Sequence, residues 1–147
     1  MAALKGPHTY NEAITQANLR QFVVARESYV QVEREINFRT VVVMSSPAEQ
    51  QRFAGWYRGG NPQSPQNIYG ETGIARVVMR SMTFLAEKTA QVRFVRTVSR
   101  AGQPDEVRRW LATITFRYVQ SAMTLADRQI NPLGFEVQEY RLDQEAS

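Results

Sequence analysis

Asn131-Pro132-Leu133-Gly134 joins a polar segment, residues 125–130, to an alternating run, Phe135-Glu136-Val137-Gln138-Glu139-Tyr140-Arg141-Leu142. These four residues carry the chemistry of a type I turn. Asn131 suits the first position because its side chain accepts a hydrogen bond from the backbone two residues on. Pro132 presets φ for the second position, and glycine suits the fourth. Proline also drives the residue before it out of helical geometry, so any helix over 125–130 ends at Asn131. A tight corner followed by a strand over 135–142 is the expectation.

Working backwards, residues 107–119 give the clearest strand. Trp110, Ala112, Ile114, Phe116 and Tyr118 point one way; Arg109, Leu111, Thr113, Thr115 and Arg117 point the other. A strand this long is expected to twist or bend. Residues 91–98 alternate too, with Val92, Phe94 and Val98 opposite Arg93, Val95 and Thr97. Ala101-Gly102-Gln103-Pro104-Asp105 reads as the hairpin turn between these strands. Residues 74–85, rich in Val, Met, Thr and Phe, supply a first strand.

The N-terminal half is helical in pattern. Thr9-Tyr10-Asn11-Glu12 reads as a capping box opening helix 1, placed at about residues 10–33. Leu19, Phe22, Val23, Tyr29 and Val30 form its apolar stripe, interrupted by Arg26. Residues 36–44 fit a buried helix or a strand equally well. Ser46-Pro47-Ala48-Glu49 combines a capping serine, a proline at the first helical position and a box-closing glutamate. Phe53, Trp56 and Tyr57 then share one face, read as core rather than a ligand cage. Residues 61–73 form a turn-rich connection with one helical turn near 65–69. Helices first and four linked strands after them make an α+β chain, with helices on one face of an antiparallel sheet.

At 147 residues, one domain is expected. It is divided as a leader or artificial start at 1–9, a domain at 10–143 and a tail at 144–147. No cysteine is present, which excludes disulfides and thiolate chemistry, and the one histidine is His8. Nine basic side chains between Arg76 and Arg117 face three acids, whereas five acids after residue 126 face two arginines. A solvated basic sheet face accounts for this better than a nucleic-acid surface, for which no motif is present. No apolar run reaches the ~18 residues of a membrane span. Phosphate-cradling, zinc-binding and nucleophile-elbow motifs are absent. Asp127 and Glu136 flank the turn and could approach one another, but arginine-paired carboxylates are the simpler reading. No catalytic, cofactor or metal residue is assigned.

Several stretches together resemble a known family: Ala25-Arg26-Glu27-Ser28-Tyr29, Met44-Ser45-Ser46 before an aromatic helix, the strand from Trp110 to Tyr118, and Asn131-Pro132-Leu133-Gly134-Phe135. They resemble the periplasmic domain of the eighth component of the VirB set, the bitopic inner-membrane subunit of bacterial type IV secretion systems. The Asn-Pro-x-Gly turn is that family's hallmark. The resemblance implies a nuclear-transport-factor-2-like fold, with a long helix and shorter ones around a strongly curved four-stranded antiparallel sheet. It implies a non-enzymatic assembly factor that forms homodimers and binds other inner-membrane and core-channel subunits. Translocated DNA or protein would touch it in passing, and a transmembrane helix missing from this chain would anchor it. On the same grounds Asn131, Pro132, Leu133 and Gly134 are expected to shape an interaction surface. Tyr10, Ile14 and Arg26 of helix 1 are expected to serve self-association. The alternative is a small-molecule-binding or isomerase-like domain of the same conical fold, requiring a carboxylate and a tyrosine that converge in a cavity.

Overall fold

A computed structural model of the chain describes residues 10–58 and 60–146. Helix α1 (Tyr10–Glu27) is followed by a short 3₁₀ turn (Gln31–Glu33), α2 (Arg34–Val43), α3 (Pro47–Tyr57) and α4 (Pro65–Tyr69). Strands β1 (Ile74–Ala86), β2 (Thr89–Ser99) and β3 (Glu106–Tyr118) come next, then α5 (Leu125–Ile130) and β4 (Phe135–Gln144). The strands form one antiparallel meander in the order β1-β2-β3-β4. Register shifts after Met79, Phe84 and Thr115 insert bulges, which bend a strand and increase its twist. Long strands therefore curl around the helices.

The core lies between that curled face and the helical layer. Leu19, Phe22 and Val23 of α1 meet Val92, Phe94, Ile114 and Val137 from the sheet, all fully buried. At roughly 1.5–3 kcal/mol per fully buried large apolar side chain, this contact dominates stability. The faces of β2 and β3 follow the alternation in the sequence: Ala112, Ile114 and Phe116 are buried, while Arg109 and Arg117 are exposed.

Helix α1 stops six residues before the expected boundary. Tyr29 leaves the helix to exchange two main-chain hydrogen bonds with Ala75 (2.8 and 2.9 Å), and Val30 is extended. The apolar stripe continues past Glu27, but Tyr29 is buried against Ala75 and Val98 in a separate small cluster. Residues 36–44, ambiguous by pattern, are helical through Val43. The Thr9 cap lies outside the described residues. At α3, Ser46 Oγ accepts from Glu49 N–H (3.2 Å) as expected. The return half of the box does not form. Ser46 N–H instead donates to Val137 O (2.9 Å), and the Glu49 carboxylate takes Arg52 at 2.7 Å. A parallel bridge between Ser45 and Val137 has claimed that donor. Strand β4 runs to Gln144, two residues beyond expectation, and Glu145 N–H caps it on Arg109 O (2.9 Å).

The corner before β4 is tighter than a generic turn. Asn131 is 1% exposed. Its Oδ1 accepts from Phe135 N–H (2.9 Å), four residues on rather than two, and its Nδ2 donates to Phe135 O (2.7 Å) and Val43 O (3.3 Å). The amide thus spans the whole turn and also ties it to α2. Gly134 has φ +71°, and a Cβ there would lie 1.9 Å from Val119 O. Only glycine fits both the dihedral and the gap. In return Val119 N–H donates to Gly134 O (2.8 Å), so β3 and β4 close directly onto each other.

Glu27 joins three elements. It is 4% exposed. Arg96 Nη1 of β2 donates to Oε1 at 2.7 Å, and Tyr140 OH of β4 donates to Oε2 at 2.5 Å. Arg96 therefore belongs to the inward row of β2. Burial, and then the neighbouring Glu27 charge, hold the Tyr140 phenol well above its ordinary range, while burial pushes Tyr57 up to about 12.

Three outcomes are expected from this packing. Gly134→Val is expected to cost about 3 kcal/mol or more in urea unfolding, by combined strain and overlap. Exposed Pro132→Ala is expected to cost no more than about 1 kcal/mol, mostly through the unfolded chain. In an alkaline titration, Tyr57 and Tyr140 retain their protons in the native state past the ordinary tyrosine value of 10.0. Because their folded values are raised, their contribution is fully present below that pH and is lost as pH rises beyond it. Unfolding monitored by circular dichroism should therefore set in on the alkaline side, with phenolate absorbance from these two residues appearing only as the fold opens.

Candidate interaction site

The two ends of α1 build two different surfaces. Ile14 and Arg26 are twelve residues apart, about 18 Å along a helix. At the N-terminal end, Ile14 is 38% exposed. It lines a groove of about 600 Å³ with Thr15, Phe84, Phe116, Tyr118 and Leu133. The wall is set by hydrogen bonds between α1 and the end of β3: Thr15 Oγ1 and Tyr118 OH are 2.7 Å apart, and Asn18 Nδ2 donates to the same hydroxyl (3.1 Å). Leu133, 54% exposed, projects from the Asn-Pro-x-Gly corner into this groove. The corner therefore divides its labour. Asn131 and Gly134 are buried and hold the backbone, while Pro132 and Leu133 face outward. The side chain of Tyr10 lies outside the described residues.

At the other end, Arg26 turns inward rather than away from the helix. Its guanidinium carbon stands 4.2 Å from the Tyr140 ring centre, 5.1 Å from Phe53 and 5.2 Å from Trp56. The aromatic face of α3 is thus both core, as Phe38 and Tyr57 pack on it, and a clasp for a cation. Arg26 Nε approaches Glu27 Oε2 only to 3.7 Å. Arg26 Nε and Nη1 are buried without a hydrogen-bond partner among the described residues. Arg26 lines a half-open cleft of about 330 Å³ together with Arg96, Tyr69, Gln63 and Trp56. Two guanidiniums share one carboxylate here, so the cleft carries surplus positive charge. That chemistry suits a carboxylate or another small anion.

A carboxylate and a tyrosine do converge in this cleft, as the isomerase-like alternative requires. Both are engaged in contacts within the fold, which does not favour a role as acid and base. Glu27 is held by Arg96 and Tyr140 with its side chain 2% exposed, and Tyr140 is kept protonated by burial. The Tyr140 proton is committed to Glu27, and each Glu27 oxygen already accepts one hydrogen bond. Asp127 and Glu136 line one pocket, and each is paired with an arginine: Asp127 takes Arg39 at 2.5 Å and Glu136 takes Arg117 at 3.2 Å. Sequence reasoning singled out Arg26 but not Glu27, Arg96 or Tyr140 as its companions. A charged residue interrupting an apolar stripe was the available signal; Glu27 is its neighbour in sequence, but Arg96 and Tyr140, which fix Glu27, lie far away.

Comparison with known proteins places these features in a family. The family model described as VirB8 protein matches residues 1–145. The type IV secretion system protein virB8 of Bartonella henselae is 45% identical over 146 residues, which are 99% of this chain and 62% of that protein. The chain thus spans about three-fifths of the length of the curated relatives it matches. Among solved structures, the Agrobacterium tumefaciens VirB8 protein superposes with a TM-score of 0.90 at 29% identity, covering 97% of this chain and 99% of that one. TraE in complex with 4-(1H-pyrrol-1-yl)pyridine-2-carboxylic acid superposes at 0.81 and 29% identity, covering 90% and 96%. The fold is the nuclear-transport-factor-2-like α+β fold these neighbours share. A matching family model over nearly the whole sequence, and relatives of this identity and coverage, make the chain a member of the VirB8 family.

Proposed function

We propose that this chain is the periplasmic domain of a type IV secretion subunit, and that it works as a non-enzymatic scaffold. It associates with a second copy through the N-terminal half of α1 and contacts other inner-membrane and core-channel subunits. In the whole protein, a transmembrane helix before this domain would anchor it to the inner membrane; no helix among the described residues is long and apolar enough to cross one. The observation that carries the self-association reading is the apolar groove beside Ile14, into which the Asn-Pro-x-Gly corner delivers an exposed Leu133. Relatives named as secretion system proteins support the wider role. Sedimentation of the purified chain is expected to show concentration-dependent dimers. Ile14→Asp should shift the sample to monomer without lowering its melting temperature, because the site is at the surface. Monomer at every concentration for both forms, with no companion subunit captured from cells expressing the same operon, would end this reading.

The Arg26 cleft supports a ligand-binding property of the same domain. Three TraE structures are complexes with aromatic pyridine or isonicotinic carboxylic acids. The Arg26 and Arg96 guanidiniums beside Trp56 and Tyr69 offer this chain a place for such a molecule, with the carboxylate toward the positive charge and the ring against the aromatics. Titration with 2-chloroisonicotinic acid, followed by NMR, is expected to move signals of Arg26, Trp56 and Tyr69. Arg26→Met should weaken that binding at least about tenfold, the worth of one charge-assisted hydrogen bond.

A further inference from the structure

Strand β1 is an edge, and most of that edge is bare. Ala75 is bonded outward to Tyr29 in both directions. Val77 and Met79 share its parity, so their N–H and C=O groups point the same way. Among the described residues no main-chain bond meets them. Natural edge strands are usually guarded by proline, by inward charges or by a covering segment. Residues 74–86 contain no proline, and their inward row is Val77, Met79, Met82 and Phe84, packed on the core yet half-exposed. A strand added here would complete that rim.

The outward row has a definite character. Arg76 and Arg80 are exposed on either side of Val78, which is 65% exposed. No acid occurs anywhere in β1. Across the sheet Val78 is level with Val95, which is level with Arg109. Arg80 and Arg93 share Glu145 at 3.8 and 3.2 Å, whereas Arg76 and Arg109 form no ion pair among the described residues.

We propose that the β1 edge receives an extended segment of a companion subunit, paired by backbone hydrogen bonds, with acidic side chains outward beside Arg76 and Arg80 and apolar ones inward over Val77 and Met79. Strand addition draws its affinity from main-chain bonds and its choice of partner from alternate side chains. The bulge after Met79 keeps the regular stretch short, so the docked segment is short too. A second copy of this chain is the wrong occupant. Antiparallel self-pairing centred on Val78 would set Arg76 against Arg80 of the other copy, and like charges directly opposite destabilise a strand pair. The inference rests on the secretion-subunit reading, because that reading supplies the companion.

The test uses the full chain and a short peptide alternating Glu and Val. Binding is expected to shift the amide signals of Val77 and Met79 and to slow their hydrogen exchange. N-methylation of alternate peptide amides should abolish it. The double variant Arg76→Glu with Arg80→Glu should weaken it at least about tenfold and should favour a Lys–Val peptide instead. No binding, binding that survives both N-methylation and charge reversal, or shifts confined to the Ile14 groove or the Arg26 cleft would overturn the proposal. Co-purification separates the two levels. If the double variant captures companion subunits as well as the parent does, the edge proposal falls and the secretion reading stands. If the parent captures none, both fall.

Discussion

The contact on which this fold depends is the approach of Gly134 to the carbonyl of Val119, in a gap too small for any side chain. Strand β3 leaves the sheet at Tyr118, and the chain makes an excursion through α5 before it must return. The return is accurate because Gly134 adopts a positive φ and pairs with Val119, which sets Phe135 opposite Tyr118. Register is then inherited along β4, since a one-residue slip would turn its buried face outward. Asn131 extends the constraint to the helical layer. One buried amide holds Phe135 on both its donor and acceptor sides and reaches Val43 at the end of α2. Met44 and Ser46 then bond Val137, so the sheet edge and the helix pair meet along one seam.

The second organising element is a carboxylate with more cations than it can neutralise. Glu27 pulls β2 and β4 onto the C-terminal turn of α1. A buried ion pair of this kind contributes little net stability, because its desolvation penalty offsets the attraction, but losing one partner leaves a buried charge exposed to that penalty. Its value is geometric. With Glu27 engaged by Arg96 and Tyr140, the Arg26 guanidinium is left stacked among rings with donors unused. Aromatic faces offset part of the cost of burying it. A cation held in this way lowers the cost of bringing an anion into the cleft, because part of its desolvation has already occurred on folding.

Local chemistry in the sequence foretold the elements whose determinants are close together. The period-two alternation of β3, the Ser46-Pro47 helix start and the Asn-Pro-x-Gly corner each require only a handful of adjacent residues. What escaped depends on partners distant in the chain. The end of α1 at Glu27 cannot be read from a stripe that continues through Tyr29 and Val30, because Ala75 decides it. The half-formed box at Ser46 follows from Val137, not from Glu49. Arg96 sits among arginines that read as a solvated face, and only Glu27, sixty-nine residues away, reveals that it points inward. At the candidate site the same division holds: Leu133 and Ile14 were singled out separately, and the sheet's curl brings them to one groove.

A scaffold of the kind proposed needs surfaces that can be occupied together, and the placement of these three permits it. Helix α1 acts as a spacer, with the apolar groove near its start and the cationic cleft at its end, about 18 Å apart. The bare edge of β1 starts beside Tyr29, near the cleft end, and runs toward Phe84 and Ala86 at the groove. Each surface would select by a different physical means: apolar area in the groove, guanidinium charge in the cleft, and main-chain hydrogen bonding beside arginines at the edge. Like charges on the edge discourage a second copy from pairing there, whereas the groove, apolar on most of its wall, carries no such penalty. On the proposed reading, self-association would use the groove end of α1 and leave the sheet edge open to a partner of opposite charge, so that a dimer would present two such edges at once.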